Sequence, residues 1–453
     1  MRINSTKISL KQCYVFGRWL GDGCRTQDVL VIARANTISQ KQEIEKIASY
    51  LNAVLHHDNK CRTYFRKQQN LLKHFKQLLL CINKKHKLLF SDKQYYAMIA
   101  GFVDSDGSID YNGTIFYNKT KKQSEQRRIR IVLYNSNPNI LCFFNNFLKT
   151  KNIYTFLGEM YCKNFTYTPT KKCKRLFISS RLGVYFIGNK ILHYLLNEEK
   201  KRRLKEWINF FDNYYQKQEL NITEIFYSIE GEGRDIGIPK IFIRVKGCPH
   251  NCPTCDSKYS GGSKNIDRKY ALTLKQIINN VKMYHNTNNI EFTGGSPDWF
   301  PQKIGYLLTY FKTHLNSRIT MQVSGGIPTT HSASLFRFAD FNSYDCKDPR
   351  YKIPFVIQKK LVRRCDEIKF LIGDDYTYEF AKKTIKKLLK RKFKCEFVIT
   401  TITQTNAPDI VEKHIKDLRE LIERILKDKE FPKKNVRIFP RLHVILWKSR
   451  RGV

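Results

Sequence analysis

The chain has 453 residues, 42% of them hydrophobic, and a formal net charge of +42. This length is enough for about two to four domains, and the hydrophobic content supports buried cores. No apolar run approaches the roughly 18 residues that span a bilayer, and the N-terminal stretch MRINSTKISLKQCY lacks the apolar core of a signal peptide. Thirteen cysteines, an odd number, fit a reducing compartment better than a disulfide framework. We therefore expect a cytoplasmic protein, or one of the host cytoplasm if a virus or phage encodes it.

The positive charge is spread over both halves of the chain. A basic excess in the first half is a plausible footprint for a nucleic-acid backbone. The same excess in the second half, together with abundant Lys, Asn, Ile, Tyr and Phe, indicates that part of it is compositional. Charge alone therefore leaves a solvated basic surface as an open alternative.

The first part of the chain repeats one pattern. VFGRWLGDG and MIAGFVDSDG both predict a helix that ends in an acid between small residues, at Asp22 and Asp106. An apolar strand, a polar turn and a second helix follow each of them, in VLVIARANTISQKQEIEKIASYLNAV and in IRIVLYNSNPNILCFFNNFLKTKNI. The sequence thus predicts a pseudo-twofold α+β domain made of two similar halves.

The repeated helix carries small residues at helical spacing. Gly17 and Gly21 are four residues apart, as are Ala97 and Gly101. Faces of this kind permit close backbone approach, so we expect the two helices to pack together and to bring Asp22 and Asp106 side by side. Two such carboxylates could hold divalent cations against a phosphodiester, the arrangement used for metal-assisted hydrolysis.

The pattern of predicted helices and strands changes near residue 218. KRRLKEWINFFDNYYQKQEL predicts a last amphipathic helix and a short linker. Strands are then predicted at NIEFTGG, RITMQVSGG and DEIKFLIG, and helices at WFPQKIGYLLTYFKTHL and at YTYEFAKKTIKKLLKR, the latter entered through Asp374 and Asp375. This alternation predicts an α/β domain with a largely parallel sheet, closed as a partial barrel whose ligands gather at the carboxyl ends of the strands.

Three cysteines lie within eight residues of this second domain. Cys248, Cys252 and Cys255 stand in VKGCPHNCPTCDSKY, with no second cysteine pair of the kind that completes a structural zinc site. An iron-sulfur cube held by three thiolates keeps one iron open to a ligand that is not protein. From the spacing alone, a zinc site and an iron-sulfur site both stay open.

The first part of the chain, from about residue 8 to 215, resembles the LAGLIDADG homing endonucleases. IAGFVDSDGSI is similar to the second signature of that family, and FGRWLGDG to the first signature of its intein-associated branch. The resemblance implies an endonuclease domain at residues 1–218, with αββαββα halves at about 8–95 and 96–215. It also implies saddle-shaped sheets on double-stranded DNA and Mg²⁺-dependent cleavage.

Within this resemblance, Asp22 and Asp106 correspond to the metal-binding acids. Lys174 is a candidate for the lysine that assists the attacking water. ELNITEIFYS follows directly where an intein would need its terminal splicing residues, so we expect a fused endonuclease rather than a splicing element. A DNA-binding relic without cleavage is the alternative.

GCPHNCPTCDSKY resembles the CxxxCxxC signature of the radical S-adenosylmethionine enzymes. The resemblance implies a 4Fe-4S cluster on the three cysteines and S-adenosylmethionine on the open iron. TGGSP matches the glycine-rich contact to the cofactor, which assigns Gly294, Gly295 and Ser296 to cofactor binding. The strand end QVSG adds Gln322 and Ser324.

EIFYSIEGEGRDIGIPKIFIRVKGC, DEIKFLIGD and VRIFPRLHVILWKSRRGV together resemble the 7-carboxy-7-deazaguanine synthase family over residues 219–453. The resemblance implies that 6-carboxy-5,6,7,8-tetrahydropterin is converted to 7-carboxy-7-deazaguanine with loss of ammonia. It further implies Mg²⁺ on Ser257, a homodimer and an external reductant such as flavodoxin. The implied substrate-binding residues are Glu230, Glu232, Arg244 and His443.

Four positions depart from the family pattern. Ser296 replaces a glutamate, Glu230 a neutral amide, Gln322 an acid and Arg441 a glutamine. These departures keep two alternatives open: a radical enzyme with a different substrate, and a basic DNA-binding mobile-element protein whose enzyme half has decayed.

Overall fold

The computed structural model describes residues 8–22, 30–33, 38–57, 62–117, 123–160, 173–323, 338–351, 366–402, 408–448, 450 and 452. The chain divides into two compact units, Met1–Asn213 and Tyr214–Val453. The boundary expected near residue 218 lies close to this division. No helix among the described residues combines the length and apolarity needed to cross a bilayer.

The first unit combines helices with two antiparallel sheets. Its described helices are α1 (Leu10–Asp22), α2 (Ile38–Leu51), α3 (Gln69–Asn83), α4 (Asp92–Asp104), α5 (Pro138–Thr150), α6 (Arg181–Ile191) and α7 (Glu198–Gln216), which crosses the division. One sheet, of order β1-β3-β2, contains β1 (Leu30–Ala33), β2 (Val54–His57) and β3 (Arg62–Arg66). The other, of order β4-β5-β7-β6, contains β4 (Gly107–Tyr117), β5 (Gln123–Asn135), β6 (Thr155–Met160) and β7 (Cys173–Ile178). From α4 to α6 the order is αββαββα, as expected for one half of the repeat.

Helices α1 and α4 pack with their backbones almost in contact. A Cβ placed on Gly17 would lie 1.9 Å from the carbonyl oxygen of Met98, and one on Gly101 would lie 2.0 Å from that of Tyr14. Only glycine fits at such positions. Helix α4 begins with a capping box, in which the Ser91 hydroxyl accepts from the backbone of Gln94 and the Gln94 side chain accepts from the backbone of Ser91. The helix pair predicted from the small residues is therefore present.

The second unit is built on one nine-stranded sheet. The strands are β8 (Glu219–Ile229), β9 (Pro239–Val245), β10 (Ala271–Thr273), β11 (Asn289–Thr293), β12 (Arg318–Val323), β13 (Phe341–Cys346), β14 (Glu367–Ile372), β15 (Glu396–Thr401) and β16 (Val436–Ile438). The order is β10-β8-β9-β11-β12-β13-β14-β15-β16, parallel from β9 to β16, with β8 and β10 added antiparallel. The described helices are α8 (Leu274–Lys282), α9 (Pro301–Tyr310), α10 (Asp375–Lys390), α11 (Ile410–Lys427) and α12 (Leu442–Trp447).

This sheet positions the site at the carboxyl ends of its strands. Most of the parallel strands are nearly continuously buried, as expected where a sheet is covered on both faces. At the end of β11 the chain turns through Gly294 and Gly295, both with positive φ. A Cβ on Gly294 would lie 1.9 Å from Cγ of Arg244, so the turn admits no larger residue. The strands predicted at NIEFTGG, RITMQVSGG and DEIKFLIG are β11, β12 and β14.

Candidate active sites

The three cysteines lie in the loop that follows β9. The backbone N–H of Cys248 donates to the carbonyl of Gly262 at 3.1 Å, and that of Cys255 donates to the carbonyl of Cys252 at 3.1 Å. All three thiols are free. Burial raises the pKa of the Cys248 thiol to about 11, and it raises the pKa of Cys252 as well. Thiolate ligands in such a place are stabilised by the positive charge of a bound metal centre.

The spacing of these thiols favours a cluster over a single metal ion. A zinc ion with bonds of about 2.3 Å brings its sulfur ligands to roughly 3.8 Å from one another. The three sulfurs do not form a group whose ligand atoms all lie within 4.8 Å. A cube binds each thiolate through a different iron and separates the sulfurs further. The residues present therefore fit a 4Fe-4S cluster better than zinc.

Three of the five residues predicted to contact the cofactor line the cavity. Gly294, Gly295 and Gln322 line the same cavity as the cysteine loop, and Gln322 accepts a hydrogen bond from the hydroxyl of Thr293 at 2.5 Å. Ser296 is fully buried and does not line the cavity, and its hydroxyl donates to Asp298 at 2.6 Å, so its role in cofactor binding stays a prediction. Ser324 lies outside the described residues.

A charged cluster lies in the same cavity. Glu232 sits between two cations, with Nζ of Lys369 3.1 Å from one carboxylate oxygen and Nε of Arg441 2.8 Å from the other. Arg441 also pairs with Asp256, and Nε2 of His443 lies 3.8 Å from Glu232. Despite the opposing effect of burial, Lys369 and Arg441 hold the pKa of Glu232 well below its usual range. Burial lowers the pKa of His443, which favours the neutral imidazole.

Glu230 has a different environment from the one expected of a substrate ligand. It lines the cavity, but its carboxylate is 2.8 Å from Nζ of Lys240, which also lies 2.8 Å from Glu291 and 3.1 Å from Asp235. Lys240 is fully buried. Burial raises the pKa of Glu291 well above its usual range, and the nearby Glu230 carboxylate adds to the effect. The extra acid at position 230 is thus neutralised inside the protein.

Arg244 reaches the cavity from β9. Its Nε donates to Glu224 at 2.5 Å, and its guanidinium lies over the rings of Phe226 and Tyr259. This predicted substrate ligand is therefore oriented by an ion pair and two aromatic rings. Such an arrangement holds a planar guanidinium in one position.

The residues around Ser257 do not fit Mg²⁺ as their side chains stand. Ser257 lines the cavity, with its hydroxyl 3.8 Å from the sulfur of Cys255. The neighbouring carboxylates of Asp256 and Glu232 are both paired with Arg441. A hard cation needs carboxylate oxygens whose charge is still available, so neither of these two acids supports the magnesium ion predicted on Ser257.

Together these residues line one cavity of about 680 Å³. The cysteine loop, the glycine turn and the charged cluster all contribute to its walls. This volume is in the usual range of small-molecule sites, and the convergence of buried charges is typical of active sites.

Several charged residues in and beside the cavity were not predicted from the sequence. Lys240 and Lys369 are lysines inside apolar parallel strands, in PKIFIRV and EIKFLI, and such an interruption is itself a signal of a buried, paired charge. Lys347 pairs with Asp345 at 3.0 Å and also lines the cavity. Asp256 stands directly after Cys255, and nothing in the local sequence indicates its ion pair with Arg441.

The first unit has a candidate site of its own. Asp22 is the last residue of α1, Asp106 follows α4, and their side chains are hydrogen-bonded to each other. Burial raises the pKa of Asp22, although Arg18 and Lys200 nearby act in the opposite direction. The structure thus brings together the two acids that the sequence paired. Two half-buried carboxylates in contact fit a divalent cation, which would relieve their repulsion.

Three further charged residues surround these acids. Arg18 is buried, with Nε 3.6 Å from Asp22 and Nη1 3.3 Å from Glu43. Asp104 accepts hydrogen bonds from the Tyr14 hydroxyl at 2.6 Å and from the backbone N–H of Leu196 at 2.7 Å. Lys200 donates to the carbonyl of Val103 at 2.7 Å and interacts electrostatically with Asp22. None of these residues was expected from the repeat.

Lys174 lies on β7, the strand that pairs with β5. It is in register with Asn135, whose amide donates to the carbonyl of Leu20 on α1 at 3.2 Å. Its Nζ lies 3.9 Å from Glu159. It is therefore β5 that adjoins the end of α1, with β7 next to it in the sheet, and the role of Lys174 stays a prediction.

Residues 242–422 match the Radical SAM superfamily. The C-terminal half of the chain therefore contains a radical S-adenosylmethionine domain, as its cysteine motif predicted.

Within that class, relatives of this half include 7-carboxy-7-deazaguanine synthases. That of Aquifex aeolicus is 26% identical over 228 residues, which are 49% of this chain and 92% of the relative. That of Thermoplasma acidophilum is 28% identical over 238 residues, or 51% of this chain and 99% of the relative. For the N-terminal region, similar solved structures include the LAGLIDADG meganuclease I-AabMI bound to uncleaved DNA, with 14% identity, 45% of this chain and 92% of that chain covered, and a TM-score of 0.26.

Because Lys240 is buried among three acids, we expect its removal to destabilise the fold. Lys240→Met leaves Glu230, Asp235 and Glu291 without their common cation, so we expect a loss of about 3–5 kcal/mol in the free energy of unfolding. The matched control is Lys386→Met, which removes the lysine of an exposed pair with Glu430 and should cost less than about 1 kcal/mol. Urea denaturation of the full chain, followed by hydrogen exchange in β9 and β11, measures both. Equal effects of the two substitutions would contradict the buried charge network.

Proposed function

We propose that the second unit converts 6-carboxy-5,6,7,8-tetrahydropterin to 7-carboxy-7-deazaguanine with loss of ammonia. The observation that carries this proposal is the single cavity in which the cysteine loop and the charged cluster meet. Cys248, Cys252 and Cys255 would hold the 4Fe-4S cluster, and Gly294, Gly295 and Gln322 would contact S-adenosylmethionine. When bound, these groups supply reductive cleavage of the cofactor and a carbon radical that abstracts hydrogen from the substrate.

The charged cluster suits the two polar edges of a carboxypterin. Glu232 is held as an ionised carboxylate, and its remaining lone pairs suit the N–H groups of the pyrimidine edge. Arg244 would meet a substrate carboxylate, because its planar guanidinium is already oriented. His443, favoured in its neutral form, can both donate and accept a hydrogen bond.

Two departures from the family pattern are compensated by contacts within this chain. Glu230 is matched by Lys240, and Arg441 is matched by Glu232 and Asp256. Neither departure therefore adds an unpaired charge against the substrate. This pairing supports the pterin over a substrate of different charge. A homodimer of the second unit and an external reductant such as flavodoxin belong to the same proposal.

The first unit carries a second candidate function, site-specific cleavage of double-stranded DNA with Mg²⁺. The contact between Asp22 and Asp106 supports it, because one cation could bridge both acids. The basic composition of this unit favours a phosphate backbone as partner. Loss of cleavage with retained DNA binding would correspond to a relic of such an enzyme.

Turnover by the second unit is tested under anaerobic conditions. We expect the reconstituted full chain, with a chemical reductant, S-adenosylmethionine and the carboxytetrahydropterin, to yield both 5′-deoxyadenosine and 7-carboxy-7-deazaguanine by mass spectrometry. Cys252→Ser should abolish both products because it removes a cluster ligand, whereas Cys395→Ser, a buried thiol outside the cavity lining, should retain them. Deoxyadenosine without the deazaguanine would point instead to a different substrate.

DNA cleavage is tested with the paired acids. Asp22→Asn and Asp106→Asn should each abolish Mg²⁺-dependent cutting of a randomised plasmid library while DNA binding in a gel-shift assay stays within about twofold of the parent. The matched control is Asp92→Asn, an exposed acid of the same unit paired with Lys151, which should leave cutting unchanged. Cleavage that survives both substitutions would rule out the two acids as the metal site.

A further inference from the structure

Besides the three cysteines, one group of three side chains that could bind a metal ion is present among the described residues. Carboxylate oxygens of Glu232 and Asp256 and a ring nitrogen of His443 all lie within 4.8 Å of one another. Two carboxylates and an imidazole at this spacing are a ligand set that divalent cations accept.

The place between the two carboxylates is taken by an arginine. Nε of Arg441 lies 2.8 Å from Glu232, and Nη2 of the same guanidinium contacts Asp256. The Arg441 side chain is 4% exposed. Its two donor atoms thus join the same two acids that a metal ion would join.

The backbone fixes this arginine at the start of α12. Its N–H donates to Nε2 of the buried His414 at 2.9 Å, and the next residue, Leu442, donates to the carbonyl of Gly231 at 2.9 Å. His443 packs against Gly231, where an added Cβ would lie 2.5 Å from the ring nitrogen Nδ1. The guanidinium and the imidazole are therefore held against the loop that carries Glu232.

The remaining charges oppose a further cation. Lys369 already lies 3.1 Å from Glu232, and Lys347 acts electrostatically on Asp256. A divalent ion added to these acids would be repelled by three positive side chains, those of Arg441, Lys369 and Lys347.

We propose that Arg441 is a built-in cation that occupies the place of a divalent metal ion between Glu232 and Asp256, so that this cavity works without Mg²⁺. The proposal rests on the function proposed for the same cavity and concerns its metal requirement. Arg441 acts as a positioning residue, because it fixes the two acids and neutralises them in the absence of a metal. Removing its charge should convert the three ligands into a metal site.

The test is a Mn²⁺ titration of the reconstituted, unreduced full chain, with free Mn²⁺ measured by electron paramagnetic resonance. All variants carry Asp22→Asn and Asp106→Asn, so that the first unit does not contribute a site. We expect no Mn²⁺ bound at this cluster in that parent and about one Mn²⁺ per chain after Arg441→Gln. Adding Asp256→Asn should remove the new site, and Arg441→Lys, which keeps the charge, should not create it.

Arg437→Gln is the matched control, because this arginine pairs with Glu396 outside the cavity lining and its loss should create no site. One Mn²⁺ bound by the parent and lost on Asp256→Asn would overturn the proposal, as would no gain by Arg441→Gln in protein that retains its iron. If Arg441→Gln loses iron, the parent decides by Mn²⁺ binding: none bound at this cluster supports the built-in cation, and one Mn²⁺ that is lost on Asp256→Asn overturns it. Since Mn²⁺ binding is measured without turnover, failure of the pterin reaction is a separate result.

Discussion

The second unit depends on the pairing of buried charges on and around its parallel sheet. A charged side chain removed from water is tolerated only with a partner, and Glu232 has two, in Lys369 on β14 and Arg441 before α12. Lys240 on β9 has partners in the same way in Glu230, Asp235 and Glu291. Because these partners come from distant parts of the chain, the ion pairs hold the strands and loops of one cavity together.

The same pairing prepares the cavity for chemistry. Side chains whose charges and orientations are set before substrate arrives need no reorganisation when it binds. Glu232 is kept ionised and His443 is favoured as a neutral ring, while Arg244 is oriented by Glu224 and two aromatic rings. The cysteine loop lines the same space, so that a cluster held by Cys248, Cys252 and Cys255 would face these oriented side chains.

Local patterns predicted the elements and the motif residues well. Glycine spacing predicted the close pair α1 and α4 and the meeting of Asp22 with Asp106, because helical periodicity converts spacing into a face. The glycines at the end of β11 predicted the turn at Gly294, because glycine readily adopts the positive φ that such a turn requires. Long-range pairing was not predictable in this way: nothing near Glu230 in the sequence indicates its ion pair with Lys240, and the burial of Ser296 depends on Asp298 and the packing around it.

Any radical chemistry of the second unit depends on Cys248, Cys252 and Cys255, which would hold a cluster with one iron left open to a ligand that is not protein. The most direct test of this cluster is ⁵⁷Fe Mössbauer spectroscopy of the anaerobically reconstituted full chain, recorded with and without S-adenosylmethionine. We expect about four irons per chain and a changed signal for one of them when the cofactor is added. A bound zinc ion in place of iron, or a four-iron spectrum that the cofactor leaves unchanged, would contradict it.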